Sequence, residues 1–253
     1  MEYPSFEKLT ILYNTGSVPP PFCYYYEITL AKEDKRLSVN IKLEYYDRED
    51  LSAEEIIEEG FSDNDNFEWS GLFPEKWIKV IEYRLAKSNW RKKPNASVSD
   101  QMVIKIEDKG EKAEIYPAET KTWEVFSQEL LQAGLELAKR EAPLKIGFMS
   151  ISTAKHVRQI GIRVSFAHRD VEIQTKEKIT KKLDWDEGQK LLKYIYSIDY
   201  PSEQGTVKVN IRKTGGFISP GDGSWYPVLD HKSGKADQSK REKLDKLLHS
   251  LLP

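Results

Sequence analysis

Two stretches of the chain concentrate residue types that can bind or react. Asn14 to Leu30, NTGSVPPPFCYYYEITL, holds the Thr15-Gly16 turn dipeptide, Pro19, Pro20 and Pro21, the single cysteine Cys23, and Tyr24, Tyr25 and Tyr26 in a row. Lys213 to Tyr226, KTGGFISPGDGSWY, follows the same plan: Thr214-Gly215 opens it, a proline interrupts it and aromatics close it. Each follows a run that reads as a strand, so both are expected where a rigid sheet presents a loop. The candidate binding residues are Thr15, Gly16 and Tyr25 from the first stretch and Thr214, Gly215, Gly216 and Trp225 from the second.

The chemistry open to these residues is narrow. Cys23 could act as a nucleophile only in an electropositive setting with a histidine nearby. Its neighbours are aromatic, which favours a buried, inert thiol. Gly215, Gly216, Gly221 and Gly223 lack the Lys-Ser/Thr of a phosphate loop and the spacing of a dinucleotide fingerprint. Glycines that supply positive φ in a hairpin loop explain them better. His168-Arg169-Asp170 matches the opening of a protein-kinase catalytic loop, but the Asn required five residues after the Asp is Thr175, and no Gly-rich loop or DFG accompanies it. A charged turn is the expectation there. Asp63-Asn-Asp-Asn66 with Glu68 offers oxygen ligands for calcium, yet Phe67 and Glu68 stand where an EF-hand needs a ligand and a glycine. His156, His168, His231 and His249 form no pair at metal-binding spacing. No metal or cofactor is expected, and no catalytic residue can be assigned.

The elements that must position the two loops follow from periodicity. Phe22, Tyr24, Tyr26, Ile28 and Leu30 alternate with Cys23, Tyr25, Glu27 and Thr29, which places Tyr24 and Tyr26 in a core and Tyr25 on the outer face. Leu37 to Tyr45 repeats the alternation, so these two segments form a hairpin. Ser62 to Gly71 is acidic and reads as loop. Gln101–Glu107 and Lys112–Tyr116 make a second hairpin, Lys145–Ile151 and Arg158–Ala167 a third strand pair that Asp170–Thr175 extends, and Thr206–Arg212 a further strand. Capping boxes at Ser52–Glu55, Asp184–Glu187 and Ser239–Glu242 open helices. Pro74 opens another, carrying Trp77, Ile81 and Leu85. The longest helix spans about 122–140, with Trp123, Phe126 and Leu130 on its apolar stripe.

Alternating strands interleaved with helices predict an α+β fold. Mainly antiparallel sheets are packed on one face by four or five helices, and the recurrence of strand pairs and helices admits repeated units. The polar, basic stretch 89–99 (NWRKKPNASVS) is the expected linker between an N-terminal half, 1–90, and a C-terminal half, 99–253, with a single fused domain as the alternative.

Composition bounds function further. Of 253 residues 39% are hydrophobic, ample for a core without staples, and one cysteine excludes an internal disulfide. The net charge of −2, from 39 basic against 41 acidic side chains, gives no bulk attraction to nucleic acid or anionic lipid. No export signal or membrane-length apolar run is present, so a soluble cytoplasmic protein is expected. With six Trp and thirteen Tyr and no catalytic constellation, the favoured function is a non-catalytic binding protein with a protein or small-molecule partner. One alternative is an enzyme, a hydrolase for instance, whose dispersed site lies at the 15–25 and 214–225 loops. Another is single-stranded nucleic-acid binding through Tyr25 and the basic Arg91, Lys92 and Lys93.

Overall fold

The computed structural model describes residues 5–62, 64–94, 101–229 and 235–253. Contacts divide the chain into two compact units, Met1–Glu141 and Ala142–Pro253. Among the described residues there are two antiparallel sheets and five α-helices, a mixed α+β fold. None of the helices is long and apolar enough to cross a membrane.

The first unit contains β1 (Lys8–Asn14), β2 (Tyr24–Glu33), β3 (Arg36–Tyr45), α1 (Ala53–Glu58), β4 (Phe67–Phe73), α2 (Lys76–Lys87), β5 (Trp90–Arg91), β6 (Gln101–Asp108), β7 (Glu111–Pro117) and α3 (Thr120–Leu137). Its sheet runs β4-β3-β2-β1-β6-β7-β5. Register places Ile11 beside Ile28 and Ile28 beside Ile41, with Leu9, Leu30 and Val39 in the next row, all buried. On the other face β1 to β4 carry Thr10, Thr29, Asn40 and Ser70, which bond in pairs: Thr10 to Thr29 at 3.2 Å and Asn40 to Ser70 at 2.7 Å. The alternation read from sequence therefore separates a core face from a polar one. Trp77 of α2 is fully buried, 5.4 Å from the Phe73 ring and 6.2 Å from that of Phe126 in α3. Removing each such side chain from water contributes roughly 1.5–3 kcal/mol. At Gly134 of α3 an added Cβ would stand 2.4 Å from Ile41 Cδ1, the tip of a flexible side chain of the sheet's core face.

One expectation changes in this unit. Residues 67–73 are strand β4, not loop, because Phe67, Trp69, Gly71 and Phe73 alternate and pair along β3; the acidic composition before them hid the period. The stretch around 89–99 does not coincide with the contact division. Trp90–Arg91 pairs with β7, and β6, which follows that stretch, pairs with β1 at the centre of the sheet. Residues 95–100 lie outside the described residues.

The second unit contains β8 (Leu144–Ile151), β9 (Val157–Ser165), β10 (Asp170–Gln174), β11 (Ile179–Leu183), α4 (Trp185–Ile195), a 3₁₀ turn (Ser202–Gln204), β12 (Gly215–Ser219), β13 (Tyr226–Pro227) and α5 (Lys235–Ser250). The sheet order is β11-β10-β9-β8-β12-β13. Ile146, Phe148, Ile160, Ile162 and Ile173 from the strands form one core with Leu191 and Ile195 of α4 and Leu244 and Leu248 of α5. The capping box at Asp184–Glu187 is present, with Glu187 N–H donating to Asp184 at 2.7 Å. His168-Arg169-Asp170 is the β9–β10 turn, and Arg169 has φ 43°.

Here too the chain departs from expectation. Residues 206–212 form no strand: Val207 is 81% and Ile211 62% exposed, and only Thr206 makes a bridge, to Trp225. The edge of β8 is taken instead by Gly215–Ser219, so the glycines expected in a loop begin strand β12. Alternation marks a segment that fits a sheet, but a free edge decides which segment occupies it. Helix α5 already runs at Lys235, so Ser239 lies inside it and caps nothing.

Candidate functional site

The Asn14–Leu30 stretch sits at one end of the first unit's sheet. There β1 stops, β2 begins opposite the end of β3, and β4 begins. Two connections meet at this end: 15–23 joins β1 to β2, and 46–66, which includes α1, joins β3 to β4. Arg48 ties them together. Its Nε and Nη2 donate to the Pro21 carbonyl at 3.0 and 2.8 Å, and Nη1 donates to Asp65 at 2.8 Å and to the Ser62 carbonyl at 3.4 Å. The guanidinium also stacks on Tyr45 and Phe61, with 4.1 and 4.7 Å to their ring centroids. Burial opposes ionisation of Asp65, but hydrogen bonds from Arg48 and Ser62 outweigh it and hold the carboxyl below its ordinary value.

An aromatic row continues from this hub. Phe22 packs on Phe61 at 5.5 Å, Phe61 on Tyr45 at 5.6 Å, Tyr45 on Tyr24 at 5.5 Å and Tyr24 on Tyr13 at 5.9 Å. The row grades from the buried Tyr13 to Phe22, which is 40% exposed. Beside it lies an open groove of about 480 Å³ lined by Tyr45, Tyr46, Arg48, Glu49, Leu51, Ala53 and Ile56. That volume suits a ligand or an anchoring side chain. The cleft of about 60 Å³ near Arg84 and Trp123 has room for only about two waters. The groove's surroundings are acidic: Asp47, Glu49, Asp50, Glu54, Glu58 and Glu59 are all exposed, and the one basic residue of 47–59, Arg48, is already engaged.

The sequence-predicted site residues take different places. Thr15 is buried, accepting from the Tyr24 N–H at 3.1 Å and donating to the Tyr24 carbonyl at 3.2 Å. Gly16 has φ 67° and donates to Asn14 Oδ1 at 2.7 Å, an Asx turn that Tyr46 completes by donating its hydroxyl to the same oxygen at 3.0 Å. These two hold the loop's shape. Tyr25 lies half-buried on the polar face and donates to Glu44, which Lys42 also meets at 2.8 Å. Tyr26 is core, as its alternation requires, whereas Tyr24 is half-buried at the sheet end. Cys23 is buried, its thiol donating to the Val18 carbonyl at 2.7 Å. Burial and the nearby Asp47 push that thiol up, so it stays protonated. Asp63 of the calcium candidate lies outside the described residues, and Asp65 is committed to Arg48.

The other four belong to the second unit. Thr214 and Gly215 are exposed, while Gly216 is buried in β12. Trp225 covers Gly147, where an added Cβ would stand 2.7 Å from the indole. Sequence reasoning missed Arg48 and the groove. The available signal was the stretch 45–59, YYDREDLSAEEIIEE, where apolar and acidic residues interleave and a lone arginine sits among seven acids.

Compared with known protein families, curated proteins and solved structures, the chain matches none.

Proposed function

We propose that the first unit is a binding module whose groove takes a basic segment of a partner protein, anchored by one apolar side chain. In this reading α2 and α3 cover the apolar face of the seven-stranded sheet and leave its β1–β4 end open for recognition. The observation that carries the proposal is the pairing of an apolar and aromatic groove with an acidic rim. Tyr45, Leu51, Ala53 and Ile56 provide an anchor pocket, and aromatic-lined pockets are where interface energy concentrates. The rim carboxylates would steer a Lys- or Arg-rich segment and reject a competing anion. The same charge disfavours nucleic acid, whose phosphates would meet Glu49 and Glu54. A cytoplasmic setting suits the free thiol of Cys23.

Synthetic peptides test this. A peptide with Lys and Arg flanking one Leu or Trp should bind the full chain, weaken with salt, and lose binding when Glu49, Glu54 and Glu58 become lysine. Ala53→Trp, which fills the groove, should abolish binding without changing the fold. Equal binding of an acidic peptide of the same apolar content, or undiminished binding to the charge-reversed chain, would refute the proposal.

A further inference from the structure

Strand β8 runs through the middle of the second unit's sheet, and its core face carries Ile146, Phe148 and then Ser150. The Ser150 hydroxyl lies 3.0 Å from His249 Nε2 near the end of α5. His249 Nδ1 is 2.8 Å from the Asp245 carbonyl and 3.3 Å from Asp245 Oδ2. Both acceptors ask for a proton on Nδ1, which leaves the Nε2 lone pair facing the serine hydroxyl. The Phe148 ring meets the imidazole edge-to-face, 5.2 Å away at 77°, and fixes its plane.

Two register partners of Ser150 complete the arrangement. Gly216 stands opposite it on β12, where an added Cβ would be 2.6 Å from Asp245 Oδ1 and 3.2 Å from Phe148. Its missing side chain is what lets the carboxylate sit there. Asp245 Oδ1 is buried and has no hydrogen-bond partner among the described residues. Arg158 stands opposite on β9. Directly paired residues share a face about 5 Å apart. Arg158 is exposed, and its guanidinium reaches the Pro253 carbonyl at 3.5 Å.

We propose that Ser150, His249 and Asp245 form a nucleophilic site for acyl transfer, with small esters that carry an anionic group as substrates and Arg158 as the group that receives the anion. Ser150 is the nucleophile, His249 the general base and Asp245 the positioning residue. The Ser150 oxygen bonds to the acyl carbon while its proton passes to His249 Nε2, and the carbonyl electron pair moves onto oxygen. That oxygen re-forms the carbonyl as the ester C–O bond breaks, and the leaving alcohol takes the proton from His249. Water repeats the sequence on the acyl-serine, releasing the carboxylic acid and restoring Ser150. No reactant besides ester and water is needed.

The full chain treated with a biotin-linked fluorophosphonate, digested and mapped by mass spectrometry, should carry the adduct on Ser150. Labelling of the unaltered chain needs no variant, so a folding failure cannot obscure it. His249→Gln should slow labelling about a hundredfold with an unchanged near-ultraviolet circular dichroism spectrum. Asp245→Ala should slow it as well, and Asp245→Glu should recover part of the loss, which a merely structural aspartate would not do. Arg158→Ala should raise KM for p-nitrophenyl hemisuccinate more than for p-nitrophenyl acetate. An adduct absent from Ser150, adducts spread equally over exposed serines such as Ser17, or wild-type labelling in His249→Gln would overturn the site. An equal effect of Arg158→Ala on both esters would overturn the assignment of an anionic substrate.

Discussion

The two units treat their polar groups in opposite ways. At the end of the first unit's sheet, Arg48 spends its donors on four hydrogen bonds and its faces on Tyr45 and Phe61. In the second unit, Asp245 keeps a buried oxygen without a partner among the described residues, and its other oxygen meets a histidine that faces a serine. A saturated network fixes a shape and leaves neighbouring surface to do the recognising. An unsaturated one keeps a group poised to change its bonding, which is what proton transfer requires. Burial alone does not tell them apart, because both lie half-buried at the end of a sheet.

The largest effect that would break this contrast is at Arg48. Arg48→Ala removes the four bonds and both stacks, and leaves Asp65 without its cation. The expected loss is about 3 kcal/mol in urea unfolding of the full chain, together with loss of peptide binding. Arg48→Lys should restore little, since an ammonium can neither fork between Pro21 and Asp65 nor stack as a plane. A loss under about 1 kcal/mol would place Arg48 among ordinary surface ion pairs and end its claim to be the keystone.

Gly216→Ala is the corresponding probe of the second unit. The added carbon must displace the Asp245 carboxylate and press on Phe148. About 1 kcal/mol of stability should go, but fluorophosphonate labelling should fall far more, because Asp245 can no longer hold His249. Gly134→Ala in the first unit is the control: the obstructing atom is the flexible tip of Ile41, and peptide binding should survive. If the two alanines behave alike, the second unit holds no special geometry.

How much of this could be read beforehand follows the same division. Alternation at 24–30 and 37–45 is local, and it placed the hairpin, the buried Tyr26 and the outward Tyr25. The capping boxes at Ser52 and Asp184 are local too, and both form. What needed the fold was competition and distance. Thr206–Arg212 has as good a period as Gly215–Ser219, yet only the latter reaches the β8 edge. Ser150 and His249 are 99 residues apart, so no spacing rule links them. Gly216, a candidate binding residue whose sequence context points to a loop, lies in β12 opposite Ser150 and leaves room beside the Asp245 carboxylate. Thr15 and Gly16, candidate binding residues by their sequence, bond within the loop between Asn14 and Tyr24.

The two carboxylates should also respond to pH with opposite sign. Asp65 is held below the ordinary value of 3.8. Its contribution to stability is complete above the unfolded-state value and is lost as pH falls through the lower folded one. Burial pushes Asp245 above 3.8, with His249 opposing. Its contribution is complete below the unfolded-state value and is lost as pH rises through the higher folded one. Urea midpoints between pH 3 and pH 7 should therefore lose an acid-side decline in Asp65→Asn and gain stability near neutrality in Asp245→Asn. A gain near neutrality from Asp65→Asn instead would reverse the assignment of saturated and unsaturated networks.

Tyr25 gives the smallest effect and the sharpest limit on the first unit's binding face. Its hydroxyl donates to Glu44, and the Lys42 and Tyr25 hydrogen bonds hold that carboxylate below its ordinary value. The trio lies on the polar face of β2 and β3, outside the residues that line the groove. Exposed pairs of this kind are screened by water and salt and contribute little. Tyr25→Phe should leave the urea midpoint and the affinity for the basic peptide unresolved from the parent chain, whereas Tyr45→Ala, which opens the aromatic row, should weaken both. If Tyr25→Phe instead weakens peptide binding, recognition extends along the polar sheet face, and the groove at Tyr45 and Ile56 is only its edge.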